Sequence, residues 1–308
     1  ILRIPTLPRL LLAEIIARLR LGTAKKIYGS IGGGSPIRKN CQAQADSIQK
    51  SLTDVKQVGV FLAMRYWHPR AIDAVEQSNK FKPDKTILLP LYPQFSTTST
   101  ESSLDEWRKI VGGDPSIAIG CYPELRGFVD AYSEQTRICW ERAEKIGQPR
   151  LLFSAHGLPK KIANSGDPYV VHVQQSAKAI AKTLQLNAEQ WRVCYQSRVG
   201  PLEWVGPSTD QEIIQAGIDG VPIVLVPIAF TSEHSETLVE LDVEYAKLAA
   251  ECAVPGYFRV PTVSTNPIFI ESLSKLIMDA LNGNLAACPR DKRLCCPVQA
   301  CPSGDSTK

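Results

Sequence analysis

Two stretches of the chain hold residue types from which metal or proton chemistry is built. In LLFSAHGLP (151–159) an apolar run ends on His156, and Gly157 and Pro159 stop any regular strand immediately afterwards. The chain has only four histidines, so an imidazole where a buried strand ends raises a question of purpose. It is either a loop histidine making one hydrogen bond, or a metal ligand or proton acceptor at the carboxyl edge of a parallel sheet. In IAFTSEHSETLVELDVEYAKL (228–248) a strand ends and Thr231 or Ser232 caps a helix whose first turn carries Glu233, His234 and Glu236. Acids at that end complement the helix dipole, which explains them without function. Yet Glu236, Glu240 and Glu244 recur at i, i+4 and i+8, one acidic line along the helix. Like charges so spaced repel, and burying them costs far more unless a cation neutralises them. An imidazole and carboxylates from this helix, facing His156 across a cleft, suit a divalent metal of intermediate softness such as Fe(II) or Zn(II).

Other clusters sit at similar places. IGGGSPI (31–37) lets backbone N–H groups approach a ligand closely, and Ser35 can cap the helix beginning near Pro36. It lacks the spacing of a phosphate loop or a dinucleotide fingerprint, and a plain structural turn explains it equally well. LPLYPQFSTTSTESS (89–103) ends a strand with two prolines and then crowds hydroxyls before a helix. Those hydroxyls either cap the helix or form a polar pocket wall, with Tyr92 and Phe95 offering ring faces. GDPY (166–169) opens another helix, and YQSRVGPLEWVGP (195–207) ends another strand in a Gly/Pro-rich loop where Trp204 packs as core or faces a planar ligand.

These clusters need elements to hold them. Apolar runs at 58–66, 86–92, 116–122, 150–155, 192–197, 222–230 and 256–260 read as strands. They are apolar throughout rather than alternating, as expected of strands covered on both faces. Helical patterns lie between them near 38–52, 69–79, 100–111, 124–146, 168–185, 208–217, 235–252 and 266–282. The class is α/β with parallel sheets, and KIGQPR (145–150) is the best boundary between two similar doubly wound domains, 1–148 and 149–285. A Cys-rich tail, 286–308, follows.

Composition narrows the function. With 308 residues, 44% hydrophobic, 21% charged and a net charge of +4, the chain is ordinary for a globular protein of two domains. No nucleic-acid signature appears, and no apolar run approaches the roughly 18 residues of a membrane span. A basic amphipathic helix, 9–21, either docks with its basic face solvated or touches an anionic membrane surface. Five scattered cysteines look like small core residues, whereas Cys288, Cys295, Cys296 and Cys301 crowd into fourteen positions. In a reduced, intracellular protein such a group suggests metal or Fe–S binding more than disulfides.

Together IGGGSPI, LPLYPQFSTTST, LLFSAHGLP with GDPY, YQSRVGPLEWVGP and VPIAFTSEHSETLVELDVEY resemble, in order, the motifs of the ferrochelatases, which insert ferrous iron into a porphyrin at the end of haem synthesis. The resemblance covers about residues 28–281. It implies two Rossmann-like domains with four-stranded parallel sheets flanked by helices, and a cleft between them. It implies that His156, Glu236 and His234 are catalytic, with His156 accepting pyrrole protons and His156 and Glu236 ligating iron, and that Glu233, Glu240 and Glu244 form an acidic network with them. It implies that Arg65, Tyr66, Ser197, Trp204 and Phe230 surround the macrocycle. Protoporphyrin IX is then the partner and Fe2+ the substrate metal, in a cytoplasmic monomer or homodimer with peripheral contact to the inner face of a membrane. Coproporphyrin or another tetrapyrrole as substrate, and a non-catalytic porphyrin or haem carrier, are the alternatives.

The pattern departs from the family in two places. The chain begins where the family has already completed a first strand and helix, so the first sheet is expected to be short of a strand. Some members carry a [2Fe–2S] cluster on a C-x2-C-x4-C pattern. Here Cys296-x4-Cys301 fits the second half, and neither Cys288 nor Cys295 gives the first spacing.

Overall fold

In a computed structural model of the chain, residues 29, 31–113, 116–287 and 294–295 are described, those at 286–287 and 294–295 by backbone alone. The expected helix at 9–21 and Cys288, Cys296 and Cys301 lie outside the described residues.

The second sheet is the better formed. It has four parallel strands in the order β4-β3-β5-β6: β3 (Arg150–His156), β4 (Trp191–Gln196), β5 (Ile223–Pro227) and β6 (Tyr257–Arg259). Residues 151–155 and all of β5 are buried, as continuous apolar runs require when helices cover both faces. The chain leaves central β3 toward β4 and returns on the other side as β5. The connections after β3 and β5 therefore diverge at their carboxyl ends, the usual place for a ligand in such sheets. His156 ends β3, and the 228–236 segment follows β5.

The first sheet has the order β1-β2-β8-β7, from β1 (Ile87–Leu88), β2 (Ile117–Cys121), β7 (Ala286–Ala287) and β8 (Leu294–Cys295). The first three in that order are parallel, and β7 runs antiparallel to β8. Strand β1 is shorter than the run 86–92 because Pro90 cannot donate to a ladder. The strand expected at 58–66 does not form. Val58, Val60 and Phe61 pack half-buried against the core, but Val60 N–H is taken by the Gln49 side chain (3.1 Å) and Met64 N–H by Pro69 O (2.8 Å). The apolar pattern reports burial here, not pairing.

The helices are α1 (Ile37–Ser51), α2 (Ala71–Phe81), α3 (Ser102–Val111), α4 (Arg126–Glu144), α5 (Lys160–Asn164), α6 (Tyr169–Thr183), α7 (Thr209–Asp219), α8 (Tyr245–Glu251) and α9 (Pro267–Leu281). A π-helical segment, Thr97–Glu101, runs into α3, and a longer one, Glu236–Glu244, runs into α8. Residue 148 lies in the turn between α4 and β3. Across it one core is continuous, because α9 packs on α4 and α1. Ile48, Tyr122, Phe128, Leu151, Phe153 and Phe269 belong to the same buried cluster. Among the described residues no helix is long and apolar enough to cross a membrane.

Candidate active site

The end of β3 is shaped around one imidazole. His156 stands in register with Gln196 of β4. Gly157 follows because nothing larger fits: a Cβ there would lie 2.8 Å from Gln196 O and 3.1 Å from Trp204 Cε3. Val205 N–H donates to Leu158 O (2.9 Å) and Lys160 N–H to Glu203 O (2.8 Å), stitching the 197–207 loop onto this turn. His156 Nδ1–H donates to Gly157 O (2.8 Å). A carbonyl can only accept, so the tautomer is set and the lone pair is left on Nε2. That Nε2 faces Glu236 Oε2 at 3.8 Å, too long for a hydrogen bond. Both side chains remain more than 40% exposed, open to a ligand rather than closed on each other. Tyr169 OH donates to His156 O (3.1 Å), and burial raises the phenol's pKa, keeping it a neutral donor.

Glu236 is the first residue of the longer π-helix, a wide i→i+5 form rare in proteins and frequent at functional sites. Its N–H donates to His234 Nδ1 (3.1 Å), and His234 packs against Phe230 with ring centroids 4.9 Å apart. Burial lowers the His234 pKa, although Glu236 and Glu233 pull it up, so the ring is neutral at pH 7.

The acidic line divides into distinct environments. Glu236 faces His156. Glu240 turns toward the β4 end, accepting from Ser197 N–H (2.7 Å), Ser197 Oγ–H, Gln196 Nε2 (3.1 Å) and Tyr245 OH (3.0 Å). That carboxylate holds Ser197 in a left-handed backbone conformation at φ 57. Glu244 lies exposed. Glu233 points inward, where Arg259 Nη1 (2.6 Å), Thr262 N–H (2.9 Å) and Thr237 Oγ1–H (2.5 Å) donate to it. Burial raises its pKa, but Arg259 and these donors outweigh that and hold it low. Among the described residues no group of three or more His, Cys, Asp and Glu converges as a metal cage.

The first half brings Arg65, Tyr66, Tyr92 and Cys41 near one another, with Cys41 against the loop that carries His234. Tyr66 and Trp67 are 70% and 61% exposed, and the Arg65 guanidinium lies 4.8 Å over the Tyr66 ring. Arg65 and Arg70 both reach Glu106, at 3.3 and 2.6 Å, so two cations share one anion and one positive charge is left over. Tyr92 has its pKa raised by burial and by neighbouring Cys41 and Tyr66. Cys41 Sγ in turn sits 3.9 Å from Ser232 Oγ, on the loop carrying His234. Trp204 keeps a buried indole N–H without a partner, and Phe230 is buried beside His234.

Several residues that hold the halves together had no signal in sequence. Asp167, 7% exposed, accepts from Thr97 N–H (2.8 Å), Thr97 Oγ1–H (2.6 Å), Ser96 Oγ–H (3.0 Å) and Tyr169 N–H (3.0 Å), capping the shorter π-helix and α6 together. His172 Nδ1 accepts Phe95 N–H (3.1 Å). Gln44 donates to Thr231 O and Ser264 O, and Asn40 to Glu233 O. Of these, Asp167 alone falls in a stretch that stood out, GDPY.

An imidazole with a free lone pair and a carboxylate opposite it, at the carboxyl edge of a parallel sheet, are what a chelatase-type α/β protein needs. Solved structures agree at the level of fold. The chain is similar to SirB from Bacillus subtilis with Fe3+ (TM-score 0.56, 13% identity, covering 82% of this chain and 93% of that one). It is also similar to CbiX, the terminal enzyme for biosynthesis of siroheme in denitrifying bacteria (TM-score 0.53, 16%, 82% and 95%).

Sequence makes the assignment particular. The ferrochelatase family model matches residues 1–281. The ferrochelatase of Caulobacter vibrioides strain NA1000 / CB15N is 47% identical over 282 residues, 90% of this chain and 81% of that protein. That of Wolbachia sp. subsp. Drosophila simulans strain wRi is 44% identical over 288, covering 91% and 90%. The chain belongs to the ferrochelatase family and is a metal-chelating enzyme of haem synthesis.

Proposed function

We propose that the protein inserts Fe2+ into protoporphyrin IX, giving protohaem and two protons, with His156 and Glu236 as the reacting pair. The supporting observation is the His156 Nε2 to Glu236 Oε2 separation of 3.8 Å, with Nδ1–H committed to Gly157 O. A porphyrin must shed two N–H protons as a dication enters, so charge balances. His156 Nε2 takes a pyrrole proton, and the imidazolium formed faces a carboxylate that stabilises it. Glu236 then passes protons outward or receives Fe2+ as it loses water. One nitrogen and one oxygen donor suit a metal that must arrive and leave, whereas a full cage would retain it. Neutral His234, accepting the Glu236 N–H at Nδ1, orients this end of the site. Arg65 and the positive charge it shares with Arg70 and Glu106 answer a propionate, while Tyr66, Trp204 and the Ser197 loop flank the ring.

The test is metal insertion followed by zinc–porphyrin fluorescence. His156→Ala is expected to lose turnover by a factor on the order of 100 or more, as for removal of a general base. Wild-type turnover in that variant would end the assignment. Competition between protoporphyrin and coproporphyrin in the same assay fixes the substrate.

A [2Fe–2S] cluster on Cys288, Cys295, Cys296 and Cys301 is a separate proposal. Four thiolates within fourteen positions supply a complete donor set for it. A visible spectrum of anaerobically purified protein, with and without Cys296→Ser, tests it. No step of the chemistry above runs through that group.

A further inference from the structure

We propose that Arg259 is a positioning residue for metal insertion: its guanidinium ties the loop just before the π-helix that carries Glu236 to the later part of that helix, and so sets where Glu236 stands relative to His156. The proposal rests on reading those two residues as the reacting pair. Arg259 closes β6, whose register against β5 is fixed by Leu225. Its Nε and Nη2 donate to the two oxygens of Asp242, each at 2.6 Å, and its Nη1 donates to Glu233 Oε1 at 2.6 Å. Glu233 lies three residues before Glu236, and Asp242 lies inside the π-helix Glu236–Glu244. One planar fork therefore holds a carboxylate on either side of Glu236, anchored to the rigid sheet.

The clamp is tied to helix form. Tightening the segment from i→i+5 to α-helical i→i+4 pairing changes the rotational phase between Glu236 and Asp242. Glu236 facing His156 and Asp242 facing Arg259 then cannot both persist. The Glu233 side is locked as well, since Thr237 Oγ1–H donates to Glu233 and accepts His234 N–H (3.1 Å). With the imidazole of His156 held by its own backbone bond, the Arg259 clamp controls the remaining half of the pair. It touches neither substrate nor metal.

The decisive variant is Arg259→Lys in the full chain, which keeps the charge but not the fork. We expect thermal stability near that of wild type, porphyrin KM within about twofold, and kcat per folded molecule lower by about fivefold or more, because small misplacements of a reacting group cost rate steeply. Arg259→Gln should lose both stability and kcat. A purely structural cation predicts instead that Lys restores kcat together with stability, and that result would overturn the proposal. If neither variant folds, Asp242→Asn decides, since it keeps the Arg259–Glu233 pair. A fall in kcat with unchanged KM supports the clamp, and wild-type kcat refutes it. His156→Ala, measured in parallel, separates the two readings. Turnover in it removes the reacting pair and the clamp with it, whereas a dead His156→Ala beside a wild-type Asp242→Asn removes the clamp alone.

Discussion

On the second-sheet side of the site, His156, His234 and Glu236 each have a backbone or ring partner, on a strand end and a helix tied to the sheet through Arg259. On the first-half side, Tyr66 and Trp67 stand out into solvent at and just beyond the end of a stretch, 58–66, that joins no ladder. Their cation, Arg65, is held through one carboxylate it shares with Arg70. Proton transfer needs atoms held to within a fraction of an ångström, whereas gripping a large planar substrate tolerates adjustment. Under the proposed function, chemistry falls to the first wall and substrate fit to the second. Substitutions on the two should then separate into kcat and KM effects.

Glu236→Gln gives the largest expected effect. The side chain keeps its size but loses the charge that stabilises a protonated His156, so kcat should fall by about 100-fold or more with porphyrin KM within about threefold. Steady-state zinc insertion measures both. A fall in kcat of less than threefold would move the chemistry off this wall.

Gly157→Ala asks whether the rigid wall is rigid because it is packed. The added methyl must displace the Gln196 carbonyl or the Trp204 ring. Overpacking of that kind costs about 1–3 kcal/mol, read as a melting temperature lower by several degrees. Because the carbonyl that orients His156 belongs to residue 157, kcat should fall with stability. Arg65→Gln tests the other wall: porphyrin KM should rise about tenfold, the scale of one lost charged contact, with kcat nearly unchanged. An equal loss in kcat would erase the division between the walls.

The sequence exposed the rigid wall more fully than the loose one, and the reason is local. Gly and Pro directly after an apolar run announce where β3 stops and which side chain stands at its edge. The Glu236, Glu240, Glu244 spacing announces an acidic face. Neither says how the acids divide, because that depends on which groups the fold brings to them: Ser197 and Tyr245 to Glu240, Arg259 and Thr262 to Glu233. Nor does the sequence announce the π-helices, since widening a turn leaves the residue pattern unchanged while tertiary ties select it. The run at 58–66 misled because a strand also needs a neighbour, and hydrophobicity reports only burial. Arg259 was legible as the end of a strand and nothing more.

The smallest expected effect concerns His234, whose burial holds its pKa below the ordinary 6.5. Below pH 6.5 the unfolded chain binds a proton at this position that the folded chain resists. The stability this ring contributes is therefore complete above 6.5 and declines as pH falls toward the depressed folded value. The slope cannot exceed about 1.4 kcal/mol per pH unit for one group. His234→Asn retains an acceptor for the Glu236 N–H and cannot titrate, so its stability should be flatter than wild type as pH falls below 6.5. Glu233 behaves in its own window: its carboxyl is held below the ordinary 4.5, so its contribution is present above 4.5 and lost as pH falls further. Denaturant unfolding of wild type and His234→Asn across pH 4–7 should therefore show curves that diverge as pH falls below 6.5, with the loss from Glu233 lowering both alike below 4.5. Parallel curves throughout would mean that the imbalance between a neutral imidazole and its charged neighbours is not maintained in solution.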